Sequence, residues 1–319
     1  MVKISNIGEF NFQPESGKLS HITDVFIGRA GKNLRFRKFR SLIEIQSSAT
    51  EIGIVLKEVD IASLVEGADT GVNFLTTIGA IFRIKEIAEE KKSAGHNSFG
   101  VTLDISCLPR GEQGSIFTAI GEIANSIDVQ LGIGYSLSRY SPPPEKWARS
   151  ITPVAPVHPN FAGWGDPLLP IHVVVGLGYE AGKAFGSVQY LEPSKCTPLM
   201  PVSPEERFLG AVKNKNSDFL KRYPNPLYYE VMQPARTYLS LESLLSGILR
   251  DHRAILLPFG PKILFSLSLL AGLVHPEAAI WYVEGEDYHQ SDEGSPSGHA
   301  SLFVCDLTAN TNSADVSLS

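Results

Sequence analysis

The chain has 319 residues and a mass of 34.7 kDa, with 28 basic and 34 acidic side chains and a formal charge of −6. An apolar fraction of 43% with nearly balanced charge excludes a disordered chain, and the length suggests about two domains or lobes. A pI near 5.8 argues against a dedicated nucleic-acid binder.

Short uninterrupted apolar runs mark strands buried on both faces of a parallel sheet, and runs of helical period lie between them. In chain order, strands are expected at 24–28, 53–56, 100–105 and 129–133, then at 171–175, 254–257 and 279–283. Helices are expected over 71–92, 111–126, 179–191, 204–213, 238–250 and 261–273. This alternation is the βαβ signature. Pro142-Pro-Pro144 and the Pro-, Gly- and Trp-rich stretch 152–170 form a break, read as a linker or a loop over a site. Ser301–Cys305 is a further strand in a polar tail. The expected fold class is α/β, with two Rossmann-like βαβ lobes and mainly parallel sheets. The lobes are placed at 1–150 and 171–308, joined by 151–170 and followed by a polar tail at 309–319.

The longest apolar stretch, Ile263 to Val274, is 12 residues. A membrane span needs about 20, so this segment is expected to be a buried helix and no membrane is expected as a partner. The N-terminal residues lack the basic and apolar regions of a secretory signal. Cys107, Cys196 and Cys305 are odd in number and widely spaced, which argues against a disulfide framework or a CxxC zinc site and suits the cytoplasm. Neither a metal nor a cofactor is expected. His275, His289 and His299 lack metal-ligand spacing.

Three strand-to-helix junctions share one design. They are Asp104-Ile-Ser-Cys-Leu-Pro-Arg110, Val175-Gly-Leu-Gly-Tyr-Glu180 and Leu257-Pro-Phe-Gly-Pro-Lys262. Ligands of open parallel sheets bind beyond the carboxyl ends of the strands, where helix N-termini offer N–H groups and positive potential. The three loops are therefore expected to converge on one crevice. Gly176 and Gly178 allow close approach of backbone to a phosphate or ribose, or Gly178 and Gly182 simply let the helix pack on the sheet. Glu180 is a cleft carboxylate or a helix-dipole partner. Gly260 gives Pro261 its turn, and Lys262 at the helix start opposes the dipole, a conflict that an anionic ligand would relieve. Arg110 suits a bidentate phosphate contact, with Ser106 as a second donor. Asp104 would bind a ribose hydroxyl or a metal-bound water, orient Arg110, or act as a base; the alternative is an Asp104–Arg110 structural pair with Ser106 as helix cap. Cys107 reads as a small buried residue. The tyrosines of 135–140 and the aromatics of 281–288 suit base stacking or packing. The run from Arg29 to Arg40 holds six cations that suit phosphates or a solvated helix face.

The order of strand–Asp104-Ile-Ser-x-x-Pro-Arg110–helix, then strand–Gly176-Leu-Gly-Tyr-Glu180–helix, then strand–Pro258-Phe-Gly-Pro-Lys262–helix, resembles a poorly characterised group of bacterial proteins associated with antiphage and other mobile-element cargo. The resemblance spans about residues 24 to 288. Members carry an acidic Glu-Glu-Arg-like segment after the first strand, where this chain has Gly31-Lys-Asn-Leu-Arg-Phe-Arg37. The arrangement is also similar, at fold level only, to the nucleotide-sensing Rossmann-like domains of CRISPR-associated regulators. The resemblance implies a sensor in bacterial defence or stress signalling, with a protein partner from the same operon or a second copy of the chain.

Together these features point to a binding protein for a small anionic or nucleotide-like ligand. Its expected ligand-binding residues are Ser106, Arg110, Gly176, Gly178, Gly260 and Lys262. A nucleotide-processing enzyme using Asp104 or Glu180, and a protein-interaction subunit with a degenerate cleft, are the alternatives.

Overall fold

Alternating apolar strands and amphipathic helices fill most of the chain. In this computed structural model, residues 2–29, 34–55, 72–142, 154–179, 181–283 and 294–310 are described. The strands are β1 (Val2–Phe12), β2 (Leu19–His21), β3 (Val25–Arg29), β4 (Ile43–Ile45), β5 (Thr50–Ile54), β6 (Val72–Leu75), β7 (Ser98–Asp104) and β8 (Asp128–Ser138). They continue as β9 (Val154–Pro156), β10 (Ile171–Gly176), β11 (Lys195–Val202), β12 (Leu227–Glu230), β13 (Arg253–Pro258), β14 (Ala279–Val283) and β15 (Pro296–Ala309). The helices are α1 (Leu34–Leu42), α2 (Thr77–Ser93), α3 (Arg110–Ala124), α4 (Ala181–Leu191), α5 (Glu206–Lys215), α6 (Ser217–Arg222), α7 (Pro234–Ile248) and α8 (Lys262–Val274). Two units result: Met1–Leu137 with Gly298–Ser319, and Ser138–Ser297.

In the first unit, five parallel strands lie in the order β6-β5-β3-β7-β8. Numbered by their place in the chain, that is third, second, first, fourth, fifth. Strands β3 and β7 read as apolar runs because both faces are covered: Val25, Ile27, Val101 and Leu103 are fully buried. The sheet continues past β8 into β15, and β1 pairs antiparallel with β15 from Val2↔Ala309 to Phe12↔Ala300.

The second unit repeats the order. Its parallel strands run β12-β11-β10-β13-β14, again third, second, first, fourth, fifth, with β9 antiparallel on β14. Helix α8 supplies much of the core, with Ile263 to Gly272 all buried. The 12-residue apolar stretch is thus an interior helix, and among the described residues no helix is long and apolar enough to cross a membrane. The α/β class with two Rossmann-like, mainly parallel sheets is what the strand pattern led us to expect.

Several boundaries differ from those read in the sequence. The second lobe does not run to 308, because Gly298 onward belongs to the first unit through the β1–β15 ladder. The Pro/Gly-rich stretch is part of the second unit from Val154: β9 edges the sheet, and Phe161 is buried against α8 at Gly272. The expected helix from 71 is a strand over Val72–Leu75 and then a helix, because the Thr76 hydroxyl accepts from Gly79 N–H at 3.2 Å and caps α2. The basic run is divided rather than wholly solvated: Arg37 is exposed and Lys38 half-buried. Arg35 and Phe39 of α1 are buried, and Arg40 pairs with Glu51 through Nε at 2.9 Å. The residues of that run between 30 and 33, and the tail beyond 310, lie outside the described residues.

Candidate functional site

A sheet ordered 3-2-1-4-5 reverses direction between its first and fourth strands, and loops leaving those two carboxyl ends flank a crevice. In the first unit those strands are β3 and β7; in the second they are β10 and β13. The repeated strand order accounts for a sequence coincidence. Pro109-Arg110 and Pro261-Lys262 occupy the same station, the start of the helix after the fourth strand, and in both helices the N-cap proline offers no side-chain cap. The three junctions therefore divide between two switch points, Asp104–Arg110 at one and the Gly176 and Gly260 loops at the other.

Side chains of the first unit largely bond to one another at its switch point. Asp104 is 1% exposed, and its Oδ1 accepts from Ser106 N–H at 2.8 Å and from the Ser106 hydroxyl at 2.5 Å. Ser106 Oγ in turn accepts from Ser136 N–H at 2.8 Å. The carbonyl of Ser136 takes Nε of Arg35 at 2.7 Å, and that buried guanidinium also lies 5.3 Å from the Tyr135 ring centre. Arg29, at the end of β3, reaches over to the Cys107 carbonyl at 3.3 Å, and Gln113 donates to the Leu108 carbonyl at 3.0 Å. Asp104 and Ser106 thus close a loop in the interior rather than meeting solvent. Pro109, not Ser106, is the cap of α3. Cys107 is buried, as its setting in the sequence suggested. Arg110 is half-buried at the helix start.

The second switch point brings Gly176, Gly178 and Gly260 together. A Cβ on Gly178 would stand 2.7 Å from Gly260 Cα, and one on Gly260 would stand 2.5 Å from the Leu177 carbonyl oxygen. A Cβ on Gly176 would meet Leu264 at 2.4 Å. Gly260 also has φ of +92°, a conformation that favours glycine. Gly178 and Gly260 therefore let two loops lie backbone to backbone, a role distinct from the helix-on-sheet packing expected of Gly178 and Gly182, and a Cβ on Gly182 would meet nothing within 4 Å. Lys262 follows, half-buried, as the first residue of α8. Glu180 lies outside the described residues.

Around this crossing the structure adds Asn216, Phe208 and Arg207, which the sequence did not single out, to Tyr140 and Tyr179, which it did. Asn216, 1% exposed between α5 and α6, donates through Nδ2 to the Gly178 carbonyl at 2.7 Å and to the Val212 carbonyl at 2.8 Å. Its Oδ1 is buried with no hydrogen-bond partner. Tyr179 stacks on Phe208 of α5 with centroids 6.2 Å apart and planes 17° apart, and Tyr140 meets Phe208 edge-on at 5.2 Å. Arg207 covers Tyr140 at 4.8 Å while its Nε donates to Glu205 at 2.7 Å. Burial, with Tyr140 and Glu205 adding, pushes the Tyr179 hydroxyl well up, so it stays protonated and able to donate. The signals in the sequence were Tyr179 directly after the Gly-x-Gly turn and the tyrosines of 135–140; Phe208 reads only as one apolar position of a helix.

Among the described residues, no group of three or more His, Cys, Asp or Glu side chains is placed to hold a metal ion. No protein-family model matches the chain, and no curated protein matches it.

Proposed function

We propose that the chain is a binding protein for a nucleotide-like anion, held at the switch point of the second unit. The observation that carries this reading is the meeting of three features in one unit: the crossed loops at Gly178 and Gly260, a cation at the start of α8, and an aromatic cluster beginning at the adjacent Tyr179. Lys262 and the N-terminus of α8 favour negative charge, and the Tyr179–Phe208–Tyr140 cluster suits stacking of a base. Asn216 Oδ1 is an acceptor for a ligand hydroxyl or amino group that reaches it. The first unit contributes no ligand in this reading, because Asp104 and Ser106 are engaged in its interior.

The same burial weighs against Asp104 as a catalytic base, while Glu180, the other carboxylate of the enzyme reading, lies outside the described residues. A role as a sensor in bacterial defence or stress signalling, with a partner protein, extends the proposal along the resemblance of the three junctions.

The test is calorimetric titration of the full chain with ATP as probe. Lys262→Ala is expected to weaken binding about tenfold or more, the scale of a charge-assisted contact. Arg110→Ala is expected to leave it within about twofold. Equal losses in the two variants, or no ATP binding to the unaltered chain, would contradict the assignment.

A further inference from the structure

A second recess lies in the second unit between the C-terminal half of α4 and α6. It has a volume of about 310 Å³ and is lined by Phe185, Val188, Phe219 and Tyr223, with Glu192 and Arg222 among its charged residues. Phe219 is 2% exposed and forms the core side of this lining, in edge contact with Phe185 at 6.4 Å and tilted against Tyr223 at 5.0 Å. Cavities for small ligands run from about 300 to 1,000 Å³. This one is at the lower limit, the size of a single small metabolite rather than a nucleotide.

Glu192 and Arg222 carry opposite signs and line one recess, yet no ion pair joins them. Arg222 instead lies 5.9 Å from the Tyr223 ring centre. Glu192 ends α4 with φ of +44°, its N–H donating to the Val188 carbonyl at 3.2 Å. That helix-end position normally takes glycine or asparagine, and proline follows at 193. Glu192 thus adds an acidic residue just past the end of α4, where the helix dipole is already negative. The recess therefore combines an acidic residue, a basic residue and aromatic walls.

We infer that this recess binds a free α-amino acid with an aromatic or large apolar side chain. Its ammonium would face Glu192 and the end of α4, its carboxylate would face Arg222, and its side chain would lie among Phe185, Phe219 and Tyr223. An acidic and a basic residue that line one recess without pairing with each other match the two charges of a zwitterion, whereas a simple anion or cation would engage only one of them. This site does not depend on the nucleotide reading.

The experiment is calorimetric titration of the full chain with L-phenylalanine, N-acetyl-L-phenylalanine and L-phenylalanine amide. Free phenylalanine is expected to bind, and loss of either charge is expected to weaken it about tenfold or more. Glu192→Gln and Arg222→Gln, both at exposed side chains, are expected to retain the melting temperature and to lose a similar factor. Phe185→Ala, at 37% exposure, tests the aromatic wall without opening the core as loss of Phe219 would. Failure of phenylalanine, tryptophan and leucine to bind at millimolar concentration would overturn the inference. So would equal binding of the amide, which stands for the end of a peptide, or unchanged affinity in both charge variants.

Discussion

Gly260→Ala separates the two roles that a glycine at a strand-to-helix junction can have. A methyl group there would lie 2.5 Å from the Leu177 carbonyl oxygen and 3.2 Å from its carbon, both backbone atoms that no rotamer change can move. The φ of +92° adds the cost of a left-handed backbone for an L residue, about 1–2 kcal/mol. Forced overlap in packed structure adds about 1–3 kcal/mol. The sum, about 2–5 kcal/mol, lowers the melting temperature of a unit this size by about 4–20 °C. Gly182→Ala is the contrast. A Cβ there meets nothing within 4 Å, and alanine in a helix is better than glycine by about 0.5–1 kcal/mol. Differential scanning calorimetry reads both, with the transitions of the two units fitted separately. A Gly260→Ala protein that melts within about 1 °C of the unaltered chain would refute the packing role. Loss of ATP binding with the fold retained would then assign the glycine to the ligand.

Two further outcomes follow from the buried polar groups. Ser106→Ala removes a donor from Asp104 and an acceptor from Ser136 N–H, all in the interior, and is expected to cost about 2–4 kcal/mol in urea unfolding; a loss below about 0.5 kcal/mol would show that the network is not closed through Ser106. His275 bonds Glu242 at 2.5 Å between the end of α8 and α7, and this bond raises the imidazole from its ordinary 6.5 despite opposing burial. Its contribution to stability is full below 6.5 and is lost as pH rises through the higher folded value. Burial pushes the Glu242 carboxyl up, but the bond from His275 outweighs it and holds the group below its ordinary 4.5; its contribution is lost as pH falls through that lower value. The two describe one bond, so the advantage over His275→Gln is expected to be greatest between pH 4.5 and 6.5, measured as the difference in melting temperature. A difference that does not vary with pH would contradict it.

The strands buried on both faces were legible because apolar side chains run without interruption through β3, β7, β10 and β13. The edges were not. β1 carries Ser5, Asn6, Glu9 and Asn11 and finds its partner nearly 300 residues away in β15, a pairing no local pattern encodes. β11 holds Pro198 and Pro201, which would ordinarily argue against an inner strand. The structure accommodates both by stagger: β11 pairs β10 only as far as Leu199, and β12 only from Leu199 onward, so each proline stands where just one neighbour is present. At the site, the Gly-x-Gly turn and the Pro-cation helix starts were visible as local motifs. That Pro109-Arg110 and Pro261-Lys262 are equivalent stations needed the strand order, which is a long-range property. Asn216 and Phe208 act through contacts with Gly178 and Tyr179 some 30 to 40 residues earlier in the chain, and so had no signature of their own.

Photolabelling with 8-azido-ATP, followed by mapping of the modified peptides, addresses the placement of the ligand most directly. Label that excess ATP suppresses is predicted on peptides carrying Tyr140, Tyr179 or Phe208, and is predicted to be lost in Lys262→Ala. ATP-protected label confined to residues 2–137 would place the nucleotide in the other unit and contradict the proposed site.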